Sequence, residues 1–556
     1  MNKRHVTMNN QSNVFANVRE WICTATLALA AFVLPAQQSQ PTASAETHIT
    51  PEQAKQLFSL VDELIAFSSN ETGLPINSTV KRKMTMRSEV ESYLKAKFEE
   101  DESAKRMQRG EIVLKKFGLL ERDFALKPFL QALLKEQLEA YYDPKTKTVY
   151  MLDWVGIDEQ KAVLAHELTH ALQDQHSDLD KWNNQTPDAV SQNAVEDVEH
   201  VAKDELDSAR EAVVEGQATV VMMDYLLKPL GKSLIKDPEI LDMVKQHLTG
   251  ADNSPVLSKA PLLLSESLLF PYREGLSFEQ DVWMDKGQAA AFTGTLDHPP
   301  TSTWEILNPR EYEKHHTPAV PLMPDIHPLV DAHYKPYDIG QMGQLDLQIL
   351  TQTYGGEMAS RDLTPAWDGG IYWAGQRLNA KVPSEQPSTN SIALFYLSAW
   401  KNEASAQAFA RLYAGNLGHQ FQGAKSKPKS GFAVYPPPPT PPEDSIAPTS
   451  TNPAIGEQVY STSEGPVVIT TRGKYVFVAE SFDLDVARKL AELVLDAQGS
   501  GEIKTAQAAQ RDSSRYTAEI NAPLTSNLIR FLSDCGVMKA AVRAGNSVTH
   551  AASPTY

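Results

Sequence analysis

Cysteine is almost absent from this chain of 556 residues, which contains two. Cys23 lies in an apolar N-terminal run, where it is poorly placed as a lipoprotein acceptor, and Cys535 lies near the other end. If the N-terminal run is removed, a single cysteine remains, which excludes an internal disulfide and a cysteine-based metal site. We therefore expect core packing to stabilise the fold.

Basic residues are scarce relative to acidic ones. The 52 lysines and arginines are outnumbered by 70 aspartates and glutamates, which gives a net charge of −18. Because nucleic-acid binding requires a cationic surface, this balance argues against a nucleic-acid partner. The composition is otherwise that of a globular protein, with 42% hydrophobic and 22% charged residues.

Long hydrophobic runs are limited to WICTATLALAAFVL (21–34), which basic residues precede. The run is short for a membrane span and is typical of the apolar region of a secretory signal peptide. We expect a signal peptide over residues 1–45, with cleavage after Ala36 or Ala45; an uncleaved N-terminal anchor is the alternative. Both interpretations predict a secreted or periplasmic protein without stable membrane insertion elsewhere.

Composition divides the rest of the chain into predicted parts. Helical patterns dominate residues 46–317, and the proline-rich stretch 318–340 is predicted to be a linker. Residues 341–499 predict a smaller α+β domain with a proline-rich loop near 436–442. Residues 500–556 are small and polar, and we expect a flexible tail.

Local signals predict individual elements within these parts. Thr50 and Pro51, followed by Gln53, predict a capping box that opens a helix. The run YYDPKTKTVYML has two β-prone flanks around a turn and predicts a β-hairpin. Farther on, SIALFYLSAW and PVVITTRGKYVFVAESF are each followed by a helical pattern, which predicts a sheet with helices on one face.

The stretch HELTHALQDQH (166–176) carries the candidate chemistry. A helical pattern places His166 and His170, four residues apart, on one face, where both can bind one ion. Glu167 lies beside them, and a carboxylate there can take a proton from a water that zinc has acidified. The preceding hairpin offers an edge for an extended substrate. The alternative is that both histidines are packed core residues of an apolar helix.

The third protein ligand has more than one candidate. His176 has the spacing of the HExxHxxGxxH motif, but Gln173 replaces its glycine. A helix that continues through Gln173 would turn His176 by about 240° away from the metal face. Glu215, in VVEGQAT on the next long helix, would complete a set of two histidines and a glutamate. Gly216 beside it would allow another backbone or a ligand to come close.

Two further carboxylates compete for a place near the metal. Glu211 precedes Glu215 by one turn on the same face, and it could be the third ligand or could orient a zinc histidine. Asp174, four residues after His170, is a weaker candidate for the orienting role. The alternative for all three is an ordinary solvated helix carboxylate.

These segments together resemble a known group. The runs YYDPKTKTVYML, VLAHELTHALQDQH, SAREAVVEGQAT and DHPPTSTWEILNPREY lie within residues 87–312. They are similar to exported bacterial proteins that are regarded as HExxH zinc metallopeptidases of the gluzincin type. A fainter resemblance, in GQLDLQILTQ, AWDGGIYWAG and RGKYVFVAESF, extends over the C-terminal part.

The resemblance implies an α+β protein. Its first part would be an α-rich, gluzincin-like metallopeptidase domain with a preceding β-hairpin, followed by the smaller α+β domain. It also implies Zn²⁺ as the cofactor, with His166, His170 and Glu215 as its ligands. Glu167 would be the catalytic base.

Two residues depart from the pattern of that group. Gln217 stands where an acidic residue is usual after the glycine, and Trp304 stands where another glutamate is expected. Both departures leave open which groups surround the metal ligands.

The leading hypothesis is therefore an exported zinc-dependent peptidase acting on peptide or protein substrates. The donor that stabilises its transition state would be Tyr225 or His298. A secreted, non-catalytic binding or scaffold protein with a structural or vestigial zinc site is the alternative, because much of the sequence lies beyond the motif. A metal-dependent hydrolase of other substrates is a third interpretation, since HExxH alone does not exclude it. The oligomeric state is not predicted.

Overall fold

The computed structural model describes residues 48–100, 102–183, 185, 191–249, 254–380, 388–421 and 456–500, together with Thr525, Leu528, Ile529, Leu532 and Thr549. The predicted signal peptide, the proline-rich loop near 436–442, Cys535 and most of the predicted tail lie outside the described residues. All described residues belong to one compact unit of the chain.

The described helices are α1 (Pro51–Thr72), α2 (Arg87–Glu100), α3 (Glu102–Lys116), α4 (Leu126–Gln137), α5 (Ile157–Ser177), α6 (Leu179–Trp182), α7 (Ala194–Lys203), α8 (Leu206–Leu227), α9 (Ile240–Thr249), α10 (Leu262–Lys286), α11 (Thr295–Asp297), α12 (Thr303–Leu307), α13 (Pro309–Tyr312), α14 (His327–Val330), α15 (Gln344–Leu363), α16 (Glu403–Phe421) and α17 (Leu484–Ala497). The described strands are β1 (Lys81–Thr85), β2 (Ala140–Asp143), β3 (Thr148–Leu152), β4 (Tyr334–Gln341), β5 (Trp367–Arg377), β6 (Ile392–Trp400), β7 (Gly456–Thr462), β8 (Gly465–Arg472) and β9 (Tyr475–Glu480). The fold class is therefore mixed α+β, as the sequence predicts.

Helix α1 begins with the predicted capping box. The Thr50 hydroxyl accepts from the Gln53 backbone N–H, and the Gln53 side chain accepts from the Thr50 N–H. Gly73 ends the helix in a left-handed conformation, with φ 75°. The buried face of α1 packs against α5, the helix that carries the HELTH motif.

The predicted hairpin is confirmed and belongs to a three-stranded sheet. Strands β2 and β3 pair antiparallel, with Tyr141 opposite Tyr150. Strand β1 joins β3 in parallel on the other side, so β2 is an outer strand of the order β1-β3-β2. Asp174 of α5 fixes the hairpin, because its carboxylate accepts from the Tyr142 hydroxyl (2.7 Å) and from Lys147 Nζ (2.8 Å).

The second sheet has six strands in the order β4-β5-β6-β9-β8-β7, all antiparallel. Leu394 of β6 joins a hydrophobic cluster with Phe409 of α16, whereas Phe395, the next residue, joins a cluster with Leu490 of α17. The prediction of helices on one face is therefore wrong: helices cover both faces. The reason is that β6 is apolar at nearly every position, so both of its faces need burial.

The C-terminal sheet is not separate from the helices that carry the HELTH motif. Leu164 of α5, Val213 of α8 and Leu394 of β6 belong to one hydrophobic cluster. Strand β4 begins at Tyr334, within the stretch predicted as a linker. In the predicted tail, the described residues Thr525, Leu528, Ile529 and Leu532 are buried. No helix in the described part of the chain combines the length and apolarity that a bilayer crossing requires.

Candidate metal centre

Helix α5 carries both histidines of the candidate centre. It follows Gly156, has acidic residues in its first turn that suit the helix dipole, and continues unbroken to Ser177. Every residue from 162 to 174 is buried, so the motif faces protein on all sides of the helix. The rings of His166 and His170 meet edge to face, with their centroids 4.5 Å apart and their planes at 81°.

A carboxylate from α8 meets these two imidazoles. Glu215 Oε2 lies 2.9 Å from Nε2 of His166 and 3.5 Å from Nε2 of His170. The two Nε2 atoms are 2.8 Å apart. Within the described ranges, this is the one group of histidine, cysteine and acidic side chains whose ligand atoms lie close enough to hold a metal ion.

The donor atoms of this group are of the types that bind zinc. Imidazole nitrogen and carboxylate oxygen both bind zinc, at about 2.0–2.2 Å, which places neighbouring ligands of a tetrahedron about 3.3–3.6 Å apart. The three separations here are 2.8, 2.9 and 3.5 Å, so two are shorter than this and one lies within it. Lone pairs that converge so closely repel one another unless a cation or a proton lies between them. The arrangement is therefore suited to a metal ion.

The charges of the three groups depend on one another. Burial opposes the charged form of His170, but the nearby Glu215 carboxylate outweighs burial and raises the pKa of His170. Burial likewise opposes ionisation of Glu215, yet the positive charge on His170 lowers the pKa of Glu215. Burial, helped by the His170 charge, lowers the pKa of His166 to about 4. Two groups of this set, His166 and Glu215, are thus held in the forms that bind metals.

Glu167 lies beside the centre without joining it. Its side chain is buried, and desolvation raises its pKa to about 7, although the charge on His170 and the backbone of Tyr142 in β2 oppose the shift. A carboxylate with a pKa near neutrality can both accept and return a proton.

Close packing of α10 on α8 holds Glu215 in place. A Cβ atom added at Gly216 would lie 2.9 Å from Cα of Gly275 and 2.5 Å from its carbonyl oxygen. A Cβ at Gly275 would in turn lie 2.9 Å from the carbonyl carbon of Ala212. The sequence predicted that Gly216 admits another backbone, and this is confirmed: the two helices approach to a distance that only glycine permits.

The same packing brings Tyr272 of α10 to the centre. Its ring stacks beside His166, with centroids 6.2 Å apart. Its hydroxyl lies near the Glu215 carboxylate, toward which it donates. Burial and the Glu215 carboxylate raise the pKa of Tyr272, so the hydroxyl keeps its proton.

No family model matches the chain, and no curated protein or solved structure matches it either. The assignment of the centre therefore depends on the positions and chemistry of its own residues.

The rivals of Glu215 from the sequence lie elsewhere. Glu211 is buried, and its carboxylate accepts from the Asn183 amide at 2.9 Å. His176 pairs through Nε2 with Asp297 at 2.9 Å, because α5 continues past Gln173 and turns His176 away from the centre. The structure thus brings Glu215, and neither of its rivals, to the two histidines.

Three other candidates also have different partners. Asp174 anchors the β2–β3 hairpin and the backbone of Leu179. Tyr225 packs its ring edge-on against Phe67 of α1, 5.4 Å away. His298 follows α11, where its backbone carbonyl accepts from the Tyr312 hydroxyl.

No sequence motif identifies the role of the residues that surround the ligands. Tyr272 belongs to a helix whose apolar pattern carries no motif, so only the packing of α10 reveals its place. Gln173 and Gln217 stand out in the sequence only as departures from known patterns. Both are buried; Gln173 contacts His170, and Gln217 contacts Gln173. Trp304 is partly buried against the main hydrophobic cluster.

Proposed function

We propose that this protein is an exported zinc-dependent peptidase with an α-rich, gluzincin-like catalytic part. His166, His170 and Glu215 would hold the metal, and Glu167 would be the general base. One observation carries the proposal: a carboxylate from a second helix converges on both motif histidines while Glu167 lies adjacent and unligated.

A zinc ion in this centre would supply a Lewis acid that polarises a peptide carbonyl and makes water more acidic. Glu167 would take a proton from that water and return it to the leaving amine. In the metal-free protein desolvation raises the pKa of Glu167 to about 7, and the charge of a zinc ion nearby would lower it, which favours the carboxylate form that accepts the first proton. Burial also keeps this carboxyl away from bulk water, where its charge would be screened.

The outer strand β2 favours a peptide as the substrate. It pairs with β3 on one side only among the described strands, and it packs against α5. The backbone of Tyr142 in β2 is close enough to Glu167 to influence its pKa. An extended peptide that pairs with the outer edge of β2 would therefore run past the general base.

Tyr272 is our candidate for the donor that stabilises the transition state, in place of Tyr225 and His298. Its hydroxyl is protonated, buried and next to the centre. A hydrogen bond that forms only as negative charge develops on the substrate oxygen would speed the chemical step. We expect Tyr272→Phe to lower kcat about 10²–10³-fold with little change in KM, measured by steady-state kinetics on a cleaved peptide. If Tyr272→Phe instead raised KM as many-fold as it lowered kcat, this role would be contradicted.

The proposal is tested by metal analysis and peptide cleavage with the purified protein. We expect one zinc per chain, cleavage of members of a peptide library, and inhibition by a chelator. Glu167→Gln should keep the zinc and lose about 10²–10⁴-fold in rate. Glu159→Gln is the matched control, because Glu159 is exposed on the same helix and should leave the rate unchanged. Full activity of Glu167→Gln, or zinc binding without any cleavage by the wild type, would refute the proposal.

Burial of the centre favours a second candidate, a secreted binding or scaffold protein with a structural metal site. His170, the most exposed of the three ligands, is 9% exposed. X-ray absorption of the zinc-loaded protein separates the two functions. A fourth protein ligand would indicate a structural site, whereas an open position filled by solvent would indicate catalysis. A substrate panel of esters and other amides tests the third interpretation, a hydrolase of non-peptide substrates.

A further inference from the structure

Nδ1 of His170, the ring nitrogen that is not directed at His166 and Glu215, faces a glutamine. Nδ1 of His170 lies 2.8 Å from Oε1 of Gln173, one turn later on α5. An amide oxygen can only accept a hydrogen bond, so Nδ1 must carry a proton when this contact is made. In the neutral imidazole the lone pair then belongs to Nε2, the atom that points to His166 and Glu215.

The orientation of the Gln173 amide is set by a second contact. Its Nε2 donates to the carbonyl oxygen of Val214 at 3.0 Å and to Oε1 of Gln217 at 2.9 Å. Rotating the amide by half a turn would place its oxygen against these two acceptors. Since Gln173 is fully buried, no water could relieve that repulsion. The oxygen is therefore held toward His170.

The orientation of the Gln217 amide is set in the same way, by backbone carbonyls on the side away from Gln173. Its Nε2 lies 3.0 Å from the carbonyl oxygens of Ala291 and Phe292 and 2.9 Å from the Thr295 hydroxyl. Ala291 and Phe292 belong to a π-helical turn (Ala290–Gly294), in which the usual helical pairing of carbonyls is interrupted. These carbonyls can only accept, so the Gln217 amide must present its nitrogen to them and its oxygen to Gln173.

We propose that Gln217 and Gln173 are positioning residues that form a directional amide relay. The relay runs from the π-helical turn to His170, keeps the proton of that imidazole on Nδ1 and presents Nε2 to the metal. This inference rests on the metal centre proposed above. It also explains both departures from known patterns: a glycine at 173 has no amide to contact His170, and a carboxylate at 217 could not donate to the carbonyl oxygens of Ala291 and Phe292.

Methionine substitutions remove the amides at nearly constant volume. Gln173→Met, Gln217→Met and the double variant are compared with the wild type for Zn²⁺ affinity, by competition with a chelator. The visible spectrum of the Co²⁺-loaded protein reports the ligand field directly. Gln280→Met is the matched control: Gln280 is also a buried glutamine that donates to a backbone carbonyl, that of Leu234, but it has no contact with the centre.

We expect each single variant to bind Zn²⁺ about 10–100-fold more weakly, with an altered Co²⁺ spectrum, while the control binds like the wild type. Because Gln217 acts through Gln173, the double variant should be no weaker than Gln173→Met alone. Wild-type affinity of Gln217→Met, or losses that multiply in the double variant, would overturn the relay. If the wild type itself binds neither metal, the proposed function fails as well, and the relay fails with it. Unfolding of the metal-free variants shows whether any of them has lost the fold.

Discussion

Replacing Gly216 by alanine tests how the metal centre is held together. The new Cβ atom would lie 2.9 Å from Cα of Gly275 and 2.5 Å from its carbonyl oxygen. Carbon atoms normally approach to about 3.5–4.0 Å, so α8 and α10 would have to separate by about 1 Å. Both contacts are to backbone, and no side chain can rotate to relieve them.

The separation would act on Glu215, the residue next to Gly216. Metal-site distances tolerate deviations of about 0.2 Å, and a displacement near 1 Å would move the carboxylate away from His166 and His170. We expect Gly216→Ala to lower the free energy of unfolding by about 1–3 kcal/mol, as overpacked cores do. We also expect Zn²⁺ affinity to fall about tenfold or more. Chemical denaturation and chelator competition measure the two effects.

Gly110→Ala is the matched control for helix propensity. Gly110 lies within α3, and no atom lies within 4 Å of a Cβ added there. Alanine at this position should stabilise the protein by about 0.5–1 kcal/mol. If Gly216→Ala behaved like this control, with unchanged metal affinity, then the close approach of α8 and α10 would not be what positions Glu215.

Two further predictions concern buried charges. Burial raises the pKa of Asp338 to about 7, so between pH 4.5 and 6.5 the folded protein keeps a proton that the unfolded chain releases. This group should therefore lower the free energy of unfolding by about 1.4 kcal/mol for each unit of rising pH in that range. Asp338→Asn should remove this contribution, as measured by denaturation at several pH values. An identical pH dependence in both proteins would contradict the prediction. Lys116 is fully buried and pairs with Glu464 at 2.8 Å. Lys116→Met should cost about 3 kcal/mol of unfolding free energy, the low end for a broken buried pair because Arg122 still contacts Glu464; a loss below about 1 kcal/mol in urea unfolding would count against this.

Local interactions made several elements predictable from sequence. The Thr50 cap needs only residues three positions apart, and the hairpin needs only a turn between two β-prone runs. His166 and His170 share a face because four residues nearly complete a helical turn. Each of these features depends on neighbours along the chain, so the sequence shows them directly.

Other features depended on contacts between distant segments. Strand β1 pairs in parallel with β3 across more than sixty intervening residues, and no local sequence signal near Lys81 predicts that pairing. The apolar run of β6 is compatible with helices on one face of the sheet or on both. The positions of α16 and α17 show that both faces are covered. Buried residues such as Leu528 in a polar tail also find their place only through tertiary packing.

Spacing along the chain was enough to place His166, Glu167 and His170 on one helix, since that spacing fixes the direction of each side chain. Packing between helices was needed to bring Glu215, one turn beyond Glu211, to the two imidazoles and to place glutamines beside one of them. The physical reason is that adjacent turns of α8 differ by a few ångströms in position. Which turn meets α5 depends on where α10 packs, through glycines that are far apart in the chain.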